Sequence, residues 1–300
     1  PEAVADAETA DAQPHRMLTA SVRMPQLAVG TLVDKSPLLG TAAVSAEVRG
    51  VVEQGLEDAV LNASVEQLEF NDYRYDRLTL NGGLISTTSF KVQEDFWGYR
   101  YMKMVLQDYY KFASSADLGV SVAYKFADWV SADAIVVNGN GYKRLQVNDG
   151  LLYGLGVTFK PVQGLTLRLY GSLNQSAVAD TKDTYNYAAF AGYANEHFSL
   201  GAEYNMQQNT SNVANKDLYG YSVYGSVTVS KMVNIFARYD LLQSRHDWNL
   251  GKDESAVIAG AQVKLGRYVK VAPNFRMSIP AVNPCDGNRY SAYISCFFGL

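Results

Sequence analysis

Three hundred residues, 48% of them hydrophobic and 19% charged, carry a formal net charge of −4, enough chain for one large core or two domains. The mild acidity and the lack of a dense basic cluster argue against a nucleic-acid partner. No run approaches the roughly 20 apolar residues a helix needs to cross a bilayer, so a membrane-spanning form has to be a barrel. Abundant glycine (24) and tyrosine (21) with only 8 prolines suit many strands and tight turns better than a helical enzyme.

Residues 1–15 are acidic, alanine-rich and without an apolar signal core, which reads as a disordered tail. Pro1 marks a mature or partial product. Residues 16–86 form a β-rich unit. Its runs "RMLTASVRM", "GTAAVSAEVRG", "AVLNASVEQLEF" and "YRYDRLTLNGGL" are separated by Pro, Gly, Asn and Asp, with a turn expected at Lys35 to Leu39. Residues 87–115, "TTSFKVQEDFWGYRYMKMVLQDYYKFASS", break that style with clustered aromatics. They read as an aromatic-rich connector, or an inward-folded segment, with a short helix near Tyr99 to Asp108.

From residue 116 to 300 the chain predicts eleven strands, at 116–126, 129–138, 151–160, 164–174, 185–194, 197–207, 219–230, 233–243, 254–265, 267–279 and 289–300. Short joints such as "KPVQG", "ANEH" and "VSKM" alternate with long polar ones such as "NGNGYKRLQVNDG", "QQNTSNVANKD" and "QSRHDWNLGKDE". Outer-membrane barrels are wired this way, with their short turns toward the periplasm. The faces agree. Leu165, Leu167, Leu169 and Leu173 alternate with Thr166, Arg168, Tyr170 and Ser172, and Val223, Val227, Ile235 and Tyr239 with Ser222, Thr228, Arg238 and Asp240. A sandwich gives its loops no reason to sort by length. Tyr153, Tyr193, Tyr204, Tyr219, Trp129 and Trp248 fit interfacial girdles.

The fold class is therefore all-β: an antiparallel up-and-down transmembrane barrel of about 11–12 strands, complete or partial, with a small N-terminal β segment. A 16-stranded aqueous porin at roughly 20 residues per strand wants on the order of 320 residues. One strand drawn from upstream gives an even count of about 12.

Expected pore-lining residues are Lys125, Lys160, Arg168, Glu203, Arg238, Asp240, Lys264, Lys270, Arg276 and Arg289, with Asp117, Asp133 and Glu254 adding acidity. The excess is positive, which suits anions or small polar solutes, unless these charges pair across strands and only keep the lumen wet. The chain calls for no catalytic residue, cofactor or metal. His15, His197 and His246 have no ligand-spaced companion, and His197 with Ser199 lacks the third group a hydrolase needs. Cys285 and Cys296 admit one disulfide or two separate thiols.

The run from "FWGYRYMKMVLQDYYKF" through "YGLGVTFKPVQGLTLRLYGS", "FSLGAEYN" and "YGYSVYGSVTVSKMVNIFARYD" resembles the porin-like outer-membrane proteins of Bacteroides-type bacteria, from Phe96 to the end. The terminal "RYSAYISCFFGL" is similar to the aromatic last strand read by the barrel-insertion machinery, with Leu300 in place of the usual Phe. "GLEDAVLNASVEQLEFNDYRYDRLTLNGGL" is similar to a repeat of AsmA/TamB-like proteins, which move phospholipid through a greasy periplasmic groove. Together they imply an outer-membrane location with residues 16–86 periplasmic. The implied partners are membrane lipid, the insertion machinery and small solutes. A homo-oligomer is left open. Passive diffusion through a porin leads, with AsmA/TamB-like lipid transfer the alternative.

Overall fold

A computed structural model describes residues 17–28, 40–51 and 60–70 as strands, and residues 77–143, 150–266, 268–282 and 287–299 with their side chains. Fifteen strands are present among the described residues: β1 Met17–Ala28, β2 Gly40–Val51, β3 Val60–Phe70, β4 Leu78–Ser86, β5 Ala116–Ala127, β6 Val130–Val137, β7 Leu152–Phe159, β8 Leu165–Asn174, β9 Thr184–Ala194, β10 Phe198–Gln208, β11 Leu218–Thr228, β12 Val233–Ser244, β13 Glu254–Lys264, β14 Val269–Pro280 and β15 Arg289–Phe298. Two short helices, α1 Lys91–Trp97 and α2 Leu106–Tyr109, lie between β4 and β5. The eleven strands expected from residue 116 onward are β5–β15, with every boundary within two residues. The turn expected at Lys35 to Leu39 and the partner thiol Cys285 lie outside the described residues, and Cys296 is exposed on β15.

The chain divides into two compact units, Pro1–Ile85 with Leu118–Tyr124, and Ser86–Asp117 with Lys125–Leu300. In the first, β1 to β4 pair antiparallel in chain order, with register shifts in each pairing. Asn81 Nδ2 donates to Ser121 Oγ at 3.1 Å. In the second, β6 to β15 form an uninterrupted antiparallel meander in chain order.

Period-two patterning turns each strand of the second unit into a two-sided ribbon. Leu155, Leu169, Leu200, Val223, Val227, Ile235 and Tyr239 stand exposed on one face. On the other, Arg168, Glu203, Ser222, Arg238, Asp240 and Asn274 are buried. This inverts a soluble protein, where large apolar groups go inside and charges stay wet. It is what a sheet with lipid on its apolar side requires.

The joints differ in how they close. At the long-loop end an aspartate at the start of the following strand accepts backbone N–H groups from the loop's first residues: Asp183 from Ser176 at 2.9 Å, Asp217 from Asn209 at 3.1 Å and Asp253 from Ser244 at 2.8 Å. Asp117 of β5 likewise accepts from Gly139 and Gly141 in the loop that leaves its neighbour β6, at 2.8 and 3.0 Å. Each carboxylate satisfies donors that would otherwise lack a ladder partner. Trp248 belongs to this end and departs from the girdle expected for it. Its indole N–H donates to the Asp217 carbonyl at 2.9 Å and its ring packs against the cluster that Leu106, Phe112, Leu218 and Leu242 form.

The expected helix near Tyr99 to Asp108 is displaced. α1 ends at Trp97 because Gly98 takes the left-handed conformation (φ 70°) and returns its N–H to the Glu94 carbonyl. Residues 100–102 then form a turn before α2, whose first residue follows an extended Val105.

Candidate functional site

Residues 87–115 fold back onto the polar face, and β8 to β15 curl round them. Every one of those strands touches the segment. Phe96 packs edge-on against Phe190 of β9, with ring centroids 5.1 Å apart, and Tyr99 meets Phe236 of β12 at 4.8 Å. Tyr224 Oη of β11 donates to the Gln93 carbonyl at 3.3 Å, and Gln207 Nε2 of β10 to the Phe112 carbonyl at 3.0 Å. Tyr101 Oη donates to Gln262 of β13 at 3.1 Å, while its ring lies 5.6 Å from Phe297 of β15. Phe90, Trp97, Tyr99, Met102 and Val105 form a dry cluster with Phe190, Tyr224, Phe236, Ile258 and Ala272 of the wall.

Glycines on the wall make this fit. Gly192 and Gly201 are opposed across β9 and β10, and a Cβ on either would press into the Phe96 ring. Gly220 of β11 likewise leaves room for Leu106. On β7, Gly156 opens the space that the Arg168 guanidinium occupies. These positions break the polar face with small residues. Sequence reasoning passed over them because only the strand register brings them together.

An ionic centre sits beside the dry cluster. Asp240 Oδ1 accepts from Arg238 Nε at 2.7 Å and from Ser222 Oγ at 2.6 Å. Its Oδ2 accepts from Lys103 Nζ of the segment at 3.0 Å. Glu203, Ser222 and Asp240 occupy one cross-strand row. Burial holds the Lys103 ammonium below the usual lysine range, against the attraction of Asp240. Tyr110 Oη donates to Glu254 at 2.8 Å, and burial with the Asp240 and Glu254 carboxylates pushes that phenol above the ordinary tyrosine range. Burial, with smaller contributions from Tyr99 and Cys296, takes Tyr101 up to about 12.

The far side of the segment is wet. Lys91 pairs with Asp95 at 2.7 Å, and Arg100 pairs with Glu94 and with Asp108. Ser86, Thr87, Phe90, Lys91, Glu94, Arg100 and Ser115 line a polar crevice of about 200 Å³ there.

The ten residues expected to line a pore all fall on the parity of the polar face, yet they separate into two groups. Arg168, Glu203, Arg238 and Asp240 are buried against the segment or the neighbouring wall, and Arg276 is half-buried beside them. Lys125, Lys160, Lys264 and Lys270 each lie at the short-turn end of their own strand, where Lys264 and Lys270 stand directly opposite each other. Lys125 pairs with the exposed Asp128 at 2.7 Å, and Lys270 lies 5.2 Å from the Phe297 ring. Arg289 is exposed at the long-loop end. His197 is exposed in a turn, while Ser199 hydrogen-bonds Ser226 at 2.9 Å.

No protein-family model matches the chain, and no curated protein is similar to it. Solved structures are similar. OprB of Pseudomonas putida superimposes with a TM-score of 0.60 at 11% identity, over 94% of this chain and 87% of that one. The anion-selective porin from Comamonas acidovorans gives 0.57 at 13% identity, over 95% and 85%. OmpF of Salmonella typhi, in complex with daunomycin, gives 0.57 at 11% identity, over 97% and 93%. The class this defines is the porin-type antiparallel β-barrel fold. At these identities the likeness is one of fold.

Proposed function

We propose that this chain is a bacterial outer-membrane porin that passes small polar or anionic solutes by passive diffusion, without a reaction or cofactor. The observation that carries the reading is the inverted sheet: large apolar side chains exposed along one face of β6–β15, and buried charge on the other. Its fold is shared with a protein described as an anion-selective porin.

The preference for anions is best supported at the short-turn end. Like charges directly opposed on neighbouring strands cost a few tenths to about 1 kcal/mol. Lys264 opposite Lys270 bears that cost, and a rim that draws anions gives it a use. The Bacteroides-type resemblance, the periplasmic placement of residues 16–86 and insertion through the aromatic β15 belong to the same reading. The AsmA/TamB-like alternative needs a sheltered apolar face to carry acyl chains. On β6–β15 the apolar face is the exposed one and the polar face is covered, so no observation among the described residues favours it.

Liposome swelling tests the function. Vesicles holding the folded protein should swell in neutral sugars and amino acids up to a size limit, faster for small solutes. No swelling with any small solute would reject a diffusion pore.

A further inference from the structure

We propose that Arg168, Arg238 and Arg276 are positioning residues that clamp the inward segment and so set the channel's size limit, rather than an anion filter. The inference rests on the porin reading and deepens it. A filter needs cationic donors turned toward the solute's path. Each of these guanidiniums is engaged on two sides instead.

The pattern repeats on three strands. On β8, Arg168 binds both oxygens of Asp133 in the wall, at 2.6 and 2.9 Å, and donates from Nη2 to the Thr88 carbonyl at 2.6 Å. On β12, Arg238 holds Asp240 through Nε and donates from Nη1 to the Met104 carbonyl at 2.9 Å. Its guanidinium also lies 5.3 Å from the Trp97 ring of the segment and 5.8 Å from Tyr224 of the wall. On β14, Arg276 donates from Nε to Asn274 and from Nη2 to the Met102 carbonyl, both at 2.9 Å. One nitrogen faces a wall oxygen and another a carbonyl of the segment in every case.

The carbonyls chosen make physical sense. Thr88, Met102 and Met104 lie outside α1 and α2, so their acceptors have no helical partner and need a donor from elsewhere. A planar guanidinium can serve a wall oxygen and a backbone carbonyl at once, whereas an ammonium is a compact point charge without that fork. Charge and clamp can therefore be separated by substitution.

Arg168→Lys, Arg238→Lys and Arg276→Lys, made singly, keep the charge and remove the fork. Heat-modifiable migration reports which variants fold, and the half-buried Arg276 is the mildest site. The clamp predicts that folded lysine variants lose size discrimination in liposome swelling, conduct more per channel and keep the wild-type reversal potential. It also predicts that chymotrypsin, cutting at aromatic residues, cleaves within 87–115 of the folded variants and spares the wild type. Lysine variants with the wild-type size limit and an uncut segment would overturn it. So would Arg→Gln variants that shift the reversal potential without widening the channel. If the wild type passes no solute, the porin reading fails, and the protease result alone still decides the clamp.

Discussion

Asp240 takes donors from Ser222, Arg238 and Lys103 in a site where its own side chain is 1% exposed. A carboxylate so placed is held by its two cations, and they by it. Asp240→Asn leaves Arg238 and Lys103 without their counter-charge, and breaking a buried ionic centre on one side costs about 3–5 kcal/mol. The folded band on unheated gels should convert to the unfolded band at a clearly lower temperature, and an unchanged transition would mean that water already solvates the centre. The lysines at the short-turn end behave differently. Lys125 and Asp128 are both exposed, so their pair adds little, and exposed pairs contribute about 0–1 kcal/mol. A residue's charge could be read from the sequence; whether it faces a solute or a carbonyl could not. Arg238 and Met104 lie 134 positions apart, and no local pattern encodes their contact.

At the scale of elements, the strands were legible, whereas the segment between β4 and β5 was legible only as an aromatic-rich connector or inward fold, with its helix misplaced. Strand boundaries follow from alternation that repeats over eight or more residues, and Gly164 in the "KPVQG" turn takes φ 85°, as a tight joint requires. The segment has no such repeat. Its helices are seven and four residues long, too short to stand on their own periodicity, and they exist because the wall receives their aromatic faces. The sequence did hold one sign of this. Tyr224, Phe236 and Leu242 interrupt the polar face of β11 and β12, and these are the rings and side chains that meet the segment. Gly201→Val puts a branched side chain where Phe96 now lies. It should loosen the segment without unfolding the sheet, giving proteolytic cleavage in 87–115 while the heat-modifiable band persists. A segment as resistant as the wild type's would show that the ring can move aside.

For the whole molecule, the period of two and the sorted loops are enough to name an up-and-down sheet with two different solvents, because both features survive any choice of register. The sorting has a structural counterpart in the aspartates that close the long loops, each at a strand's start. What the pattern does not contain is how full the polar side is. A lumen and a packed interior both call for polar residues at every second position, and only the meeting of 87–115 with β8–β15 tells them apart. The most direct test of the central claim is conductance across a planar bilayer by protein first shown to be folded. A salt gradient should give steady, ohmic channels whose reversal potential lies on the anion side. Folded, heat-modifiable protein that carries no current would contradict the account.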